Sequence, residues 1–423
     1  MNKQKEQPVW NPRDICGAFA LDLQQWSHSG KVPPQADQDL AWVLENQHAR
    51  LRSRELELEY DMVPRGHFAG GRGNLRQWQD GHYITRMDFR SCVFHRTMRR
   101  RGRKVYNRKK NTLMYQFVTD VYDIYAARQD SHICPNCGAS STLAGLMDGC
   151  DYCGTRFQMP DLYPKVGNYY HLEDFGMTQD EVKGDIGKSI LKTFLWSALF
   201  FVVLFLLGGG EEMHPLEAVI SGLLLGAFIG PLGGYLLWAG RKLVSLFVQA
   251  GRSIPLLIKL GNSEKRFENQ MKVYSPEFSY PYFMDKAVNL LKTVLFSEDP
   301  RTLPFYQGEA DDDFKKIVDS QFTGATSLRK FRVENGICHV TVDVCLDNLY
   351  DSALGIRQKR DWFRMEMYRD ISKPVDLHFS IHSIQCGGCA ASFDAVRHRT
   401  CPHCGRPYQL QDLDWMVQNI RKK

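Results

Sequence analysis

The sequence predicts an α+β protein in which one unit is used twice, each copy ending in a four-cysteine zinc ribbon, with a two-helix transmembrane hairpin between the copies. Three observations predict it. Cys134-Pro-Asn-Cys137 and Cys150-Asp-Tyr-Cys153 recur as Cys386-Gly-Gly-Cys389 and Cys401-Pro-His-Cys404. The residues around the two cysteine sets also match each other. Between them lie two long apolar runs, 190–207 and 216–239.

Each cysteine set is C-x2-C, a spacer, then C-x2-C, which is the zinc-ribbon spacing. Two intervening residues let one tight knuckle aim both thiolates at one ion, and two knuckles complete a tetrahedral shell. Four sulfurs leave no open coordination position, so two structural zinc ions are expected. They would be held by Cys134, Cys137, Cys150 and Cys153, and by Cys386, Cys389, Cys401 and Cys404. The competing reading is redox pairs or disulfides. His132, His398 and His403 lie beside these cysteines, but two complete sets need no substitute ligand.

The repeat reaches past the ligands. Cys153-Gly-Thr-Arg-Phe-Gln-Met-Pro-Asp-Leu162 aligns with Cys404-Gly-Arg-Pro-Tyr-Gln-Leu-Gln-Asp-Leu413, and Val166 and Val417 each follow four residues on. Upstream, Asp80-Gly81 and Asn335-Gly336 are both type I′ hairpin dipeptides. Asp88 and Asp343 follow at the same offset. Helix candidates in the first unit are 13–26 and 38–56, and its strands would be 58–62, 82–94 and 113–125. In the second, 276–297 shows helical spacing of apolar residues. Asp311-Asp312-Asp313 opens a short helix, where carboxylates suit the N-terminus. Strand candidates follow at 326–333, 337–349, 362–371 and 375–383. Helices followed by a long meander describe a cone, with helices in the concavity of a curved sheet. At 43% hydrophobic residues over 423 positions, each unit can support a core.

Each apolar run approaches the roughly twenty residues needed to span a bilayer. Lys183, Lys188 and Lys192 flank the entry, and Arg241, Lys242 and Arg252 flank the exit. The connection Gly208-Gly-Gly-Glu-Glu-Met-His-Pro215 has neither Lys nor Arg. The positive-inside rule then places both termini in the cytoplasm, and a cysteine-rich chain suits that reducing side. The first residues lack a secretory apolar segment. Gly222, Gly226 and Gly230 share one helix face, fit either for packing within the hairpin or for self-association between protomers. Pro231 predicts a kink, and 243–260 reads as an interfacial amphipathic segment. The chain thus divides into a first α+β unit (1–130), a first ribbon (131–170), the hairpin with its juxtamembrane segment (183–260), a second α+β cone (272–384) and a second ribbon (385–423).

The second cone carries a resemblance. Tyr280-Pro-Tyr-Phe-Met-Asp-Lys-Ala-Val-Asn-Leu-Leu291, Phe322-Thr-Gly-Ala-Thr-Ser-Leu328 and Val340-Thr-Val-Asp-Val344, with the closing ribbon, Asp412 and Trp415, resemble the mitochondrial import-motor tether family (translocase inner-membrane subunit 44-like) and its bacterial zinc-ribbon-containing relatives. The resemblance implies a nuclear-transport-factor-2-like cone, a bacterial cytoplasmic membrane, and association with a protein partner there. Two ribbons and a central hairpin depart from that family, so an import role does not transfer directly.

A basic run, Arg99, Arg100, Arg101, Arg103, Lys104, Arg108, Lys109 and Lys110, lies between two strand candidates of the first unit. As a hairpin tip it is a solvated loop, a contact for anionic lipid, or a contact for nucleic acid. The formal charge of +6 does not decide among them. Cys16, Cys92, Cys338 and Cys345 are isolated, and His95, His339, His378 and His382 are scattered. Asp88 and Asp343 are the best candidates for an acid at a cone mouth, with a strand-face role as the plainer account. No catalytic constellation emerges, so neither an enzyme nor a small-molecule substrate is expected. The reading is a cytoplasm-facing membrane scaffold or tether that binds a protein partner. The alternative is a membrane-tethered nucleic-acid binder using the ribbons and the basic tip.

Overall fold

The computed structural model describes residues 12–65, 76–80, 83–121, 128–129, 131–134, 136–156, 164–173, 179–208, 214–274, 278, 280–353, 355–372, 383–394, 398, 400–408 and 415–423. Helix α1 (Pro12–Ser29) buries Cys16, Phe19, Leu23 and Trp26, a three-and-four spacing that makes one apolar stripe. Helix α2 (Gln38–Ser53) starts at Asp37, whose Oδ1 accepts the Leu40 N–H at 2.7 Å. Strands β1 (Leu56–Pro64), β2 (Arg76–Asp80), β3 (Tyr83–Arg100) and β4 (Arg103–Val121) follow. The small elements β5 (Ser131–Ile133), β6 (Ser140–Thr142) and α3 (Leu143–Asp148) belong to the first cysteine module. Strand β7 (Lys165–Glu173) then returns beside β4. The sheet order is β1-β3-β4-β7, all antiparallel, with β2 also on β3.

After the apolar helices α4 (Gln179–Gly208) and α5 (Pro215–Tyr274) come α6 (Tyr280–Phe296) and the short α7 (Asp312–Lys315), capped by Asp311. Strands β8 (Ile317–Glu334), β9 (Ile337–Ser352) and β10 (Gly355–Asp370) form a meander. The short β11 (Ser383–Gln385) and β12 (Ser392–Asp394) belong to the second cysteine module, and β13 (Met416–Lys422) returns beside β10. The order is β13-β10-β9-β8. Both sheets therefore run through a meander, a cysteine module and a return strand on the meander's last strand.

The likeness extends to local irregularities. Val166 in β7 forms a parallel bridge with Ala36, and Val417 in β13 forms one with Tyr306. One residue later each return strand bulges. Phe117 faces Asn168 while Val118 faces Val166, and Glu366 faces Asn419 while Met367 faces Val417. A bulge inserts one unpaired residue and bends the strand, so the two return strands bend at corresponding places.

The chain separates into two compact units. Residues 1–65, 72–174 and 262–423 form one, and residues 66–71 with 175–261 form the other. In the first, the two sheet-bearing halves interlock. The Arg50 guanidinium donates to the carbonyls of Leu295 (2.6 Å), Ser297 (2.8 Å), Phe314 (3.0 Å) and Ile317 (3.3 Å). These include carbonyls at the end of α6, which have no helical partner of their own. Asn289 donates to the Gly167 carbonyl at 3.2 Å, and Tyr170 meets Phe322 edge-on at 5.3 Å between centroids. The last turns of α5 also belong to this unit, where Phe267 and Met271 are fully buried among Phe278, Phe283 and Phe331.

In the second unit, α4 and α5 are long and apolar enough to cross a membrane, over Lys183–Gly208 and Pro215–Val244. A Cβ on Gly222 would lie 2.8 Å from Val202 Cα. One on Gly226 would lie 2.7 Å from Ala198 Cα, one on Gly230 2.6 Å from Phe194 Cα, and one on Gly234 2.6 Å from Ile190 Cα. The glycine face is thus the seat of α4, and the spacing includes Gly234. Helix α5 is continuous through Pro231 and through 243–260, where the sequence suggests a kink and a separate interfacial segment.

Several strands exceed their expected lengths. β3 and β4 run to Arg100 and from Arg103, closed by Arg101-Gly102 with φ of 49° and 75°. The basic run is therefore mostly strand, because a two-residue turn with both φ positive needs no loop. Asn335-Gly336 makes the expected turn of this kind, with φ of 51° and 79°. Asp80 instead ends β2 opposite Tyr83, and residues 81–82 lie outside the described residues. The strand expected at 375–383 also lies outside them up to 382. Strands β7 and β13 have no counterpart among the expected strands, since a lone return strand carries no turn signal of its own.

Candidate metal centres and the polar seam

Four backbone knuckles build the two cysteine clusters, and all four share one hydrogen-bond pattern. The carbonyl of Cys134 accepts from Gly138 N–H (2.9 Å), that of Cys150 from Gly154 (2.7 Å), that of Cys386 from Ala390 (2.8 Å) and that of Cys401 from Gly405 (2.8 Å). The first cysteine's own N–H donates to the carbonyl five residues on, to Ala139, Thr155, Ala391 and Arg406. The turn needs a left-handed residue just after the second cysteine. Gly138, Gly154 and Gly405 supply it at φ of 76°, 69° and 72°, and Ala390 adopts it at 58°.

Within each set all four Sγ atoms lie within 4.8 Å of one another. Cys134 and Cys153 are 3.8 Å apart, Cys137 and Cys150 3.7 Å, and both Cys386–Cys404 and Cys389–Cys401 3.6 Å. A disulfide would need about 2.05 Å. Sulfurs about 2.3 Å from a tetrahedral ion stand about 3.8 Å apart, so the spacing suits a four-thiolate metal shell. All eight sequence-predicted ligands are brought together, four and four. The knuckle N–H groups of Cys389 and Gly388 lower the Cys386 thiol. At Cys389 the Ala391 N–H is outweighed by desolvation and the neighbouring sulfurs, which raise it, so the protons are shared across the four-thiol set.

A second feature is a buried polar seam between the halves, which the sequence did not reveal. Asp319 on β8 is fully buried. It accepts from Tyr60 Oη (2.7 Å) and Gln47 Nε2 (2.8 Å) through Oδ1, and its Oδ2 lies 3.1 Å from Arg96. Arg96, itself buried, stands over the Tyr106 ring at 5.5 Å. Around this pair, burial and the cations Arg96 and Lys292 push His171 down to about 3. Burial lowers Lys292 to about 8 against the pull of Asp319 and Asp285. The signal was present: Gln47 and Arg50 fall on the apolar stripe of α2, and Arg96 alternates with Phe94 and Met98 on the inward face of β3.

The basic run feeds the same seam. Arg100 binds Asp351 at 2.6 Å, Lys110 stands 4.0 Å from Asp347, and Arg108 bonds Gln358. Arg99 binds Glu59 and Arg101 binds Glu55 within the first half, while Arg103, Lys104 and Lys109 are exposed. Arg99 also lines an open cavity of ≈ 370 Å³ with His28, His48, Glu57 and Glu59. The two aspartates considered for a cone mouth are elsewhere. Asp343 lies beneath Arg329, Arg364 and Lys423, and Asp88 is buried near Cys16. Cys92 and Cys338 are buried core thiols, and burial pushes Cys338 up to about 12.

Comparison of the chain with protein-family models, with curated proteins and with solved structures finds no match.

Proposed function

We propose that this chain is a membrane-anchored, cytoplasm-facing scaffold made from a duplicated cone of the nuclear-transport-factor-2-like kind, with one structural zinc in each ribbon, that holds a protein partner at the membrane. The observation that carries the reading is the pairing of like with like. Two sheets with the same strand connections, the same bridge at Val166 and Val417 and the same bulge one residue later are locked by a buried seam. A chain that joins its own two halves through Arg50 and Arg96–Asp319 presents a fixed platform, and α4 and α5 offer it an anchor. The eight cysteines supply rigidity, because four-thiolate zinc leaves no open position for substrate.

Photo-crosslinkers on the exposed Tyr152 and Arg406, one in each ribbon, test this in native membranes. One discrete protein adduct, absent from a Cys401→Ser variant that still reaches the membrane, is expected. Adducts to lipid alone would overturn the protein-partner reading.

A further inference from the structure

On β9, Cys338, Val340, Val342, Val344 and Leu346 are buried in the core, and the alternate residues face outward. Residues directly opposite on antiparallel strands share a face. The register therefore puts Arg364 outward with Asp343 and Arg421, Trp362 with Cys345, Arg360 with Asp347, and Lys330 with Thr341. Lys423 joins them through its N–H to the Trp362 carbonyl at 2.9 Å. At the centre, the fully buried Asp343 accepts from Arg329 Nε (2.5 Å), Arg364 Nε (2.9 Å) and Lys423 Nζ. One carboxylate thus holds three cations flat against the sheet and neutralises only one. Arg421, Lys330 and Arg360 are exposed and make no ion pair among the described residues. Arg332 lies on this face too, paired with Glu334 at 3.4 Å. Glu366 and Asp370 are its further acids, and Asp347 at its end is engaged by Arg96 and Lys110, so cations still outnumber acids.

We propose that this outer face of the second sheet is a binding platform for single-stranded nucleic acid. A fixed excess of cations calls for a polyanion, and guanidinium groups match phosphate oxygens in shape as well as charge. Trp362 favours a polyanion that also carries aromatic bases. Along β10 it stands between Arg360 and Arg364, two residues from each, which is about 6.8 Å of strand. It is only half-buried. A lipid interface would also accept the indole, but its headgroups offer no aromatic face to stack on it. A flexible strand uses both, laying phosphates on the arginines and a base on the indole. The platform stands independently of the protein-partner reading, which rests on the packing of the two halves.

The test uses full-length protein in neutral detergent and a labelled oligouridylate of about 20 nucleotides, followed by anisotropy across a salt series. Arg421→Glu with Lys330→Glu changes two exposed residues outside the Asp343 cluster. It is expected to weaken binding at least tenfold and to flatten the salt slope by about 0.7 for each phosphate that is no longer neutralised. Trp362→Ala is expected to weaken binding about tenfold with the salt slope unchanged. Arg103→Glu with Lys104→Glu, on the first half's hairpin, is expected to leave affinity unaltered. Metal content and melting temperature check that each variant is folded. The proposal is overturned if the oligonucleotide does not bind at about 50 mM salt, or if the hairpin variant and not the sheet variant loses it. It is also overturned if the sheet variant keeps the oligonucleotide but loses phosphatidylglycerol vesicles.

Discussion

Asp285 on α6 and Asp37 at the start of α2 converge on Gly167, where an added Cβ would lie 2.8 Å from Asp285 Oδ2 and 3.1 Å from Asp37 Oδ2. Asp39, Asn168, Lys286 and Lys292 surround the pair. Burial pushes Asp285 up to about 7, and burial together with Asp39 pushes Asp37 up as well. A carboxyl with a raised folded pKa keeps its proton when the unfolded chain has already lost it. Stability must therefore fall as pH rises from about 4 to about 7. Asp285→Asn is expected to raise the melting temperature at pH 8 and to flatten the pH profile over that window. An unchanged slope would show that the pair is ionised in the fold. The buried ion pair Arg96–Asp319 makes a different demand. Arg96→Met strands a buried carboxylate and is expected to cost about 3–5 kcal/mol. Adding Asp319→Leu should recover part of that loss in the same denaturant titration.

The second cysteine module is a local element too small to stand without a metal in its four-cysteine cluster. Cys401 is buried and its carbonyl closes a knuckle, yet the ribbon's own strands β11 and β12 are three residues each. So small an element cannot bury enough apolar surface to fold alone. Cys401→Ser should reduce metal from two ions per chain to one and expose the 383–408 region to hydrogen exchange, with α1 and α2 still protected. Such ribbons were legible in the sequence because ligand chemistry fixes spacing. The two long apolar helices were legible for a similar reason, since runs of about twenty apolar residues stand out by length and composition alone. The glycine stripe left two partners open, and geometry places α4 on it. Gly226→Val should push α4 away and destabilise the protein in detergent. Gly240→Val meets no atom within 4 Å and should not. Inward-facing polar residues of the seam left a local signal, but their pairing was illegible for a physical reason: Arg96, Asp319 and Arg50 find their partners across more than two hundred residues of chain. Composition windows see only an arginine in a strand or helix. The basic run is obscured in the same way, because Arg100 and Lys110 reach acids of the other half that no local pattern announces.

At the scale of the whole molecule, the packing of the two halves constrains topology. Residues 1–65 and 72–174, before α4, and residues 262–423 form one compact unit, with Asp319 and Arg96 buried together inside it. If the chain crosses a membrane between them, it must cross an even number of times, because one crossing would leave the halves on opposite faces. Two apolar helices satisfy that condition. Charge then chooses the side. Lys183, Lys188 and Lys192 precede or open the first span, Arg241 and Lys242 follow the second, and 209–215 carries neither Lys nor Arg. For a membrane-spanning chain the positive-inside rule would put the flanks in the cytoplasm, where reduced thiolates would stay available to metal. Reporter fusions at Met1 and at Lys423 should both give the cytoplasmic signal, and a reporter inserted after Gly210 should give the external one. Opposite signals at the two ends would mean that α4 or α5 fails to cross, and the packing of the halves could not then form in the membrane-bound chain. Three cytoplasmic signals would leave the packing intact and remove the anchor.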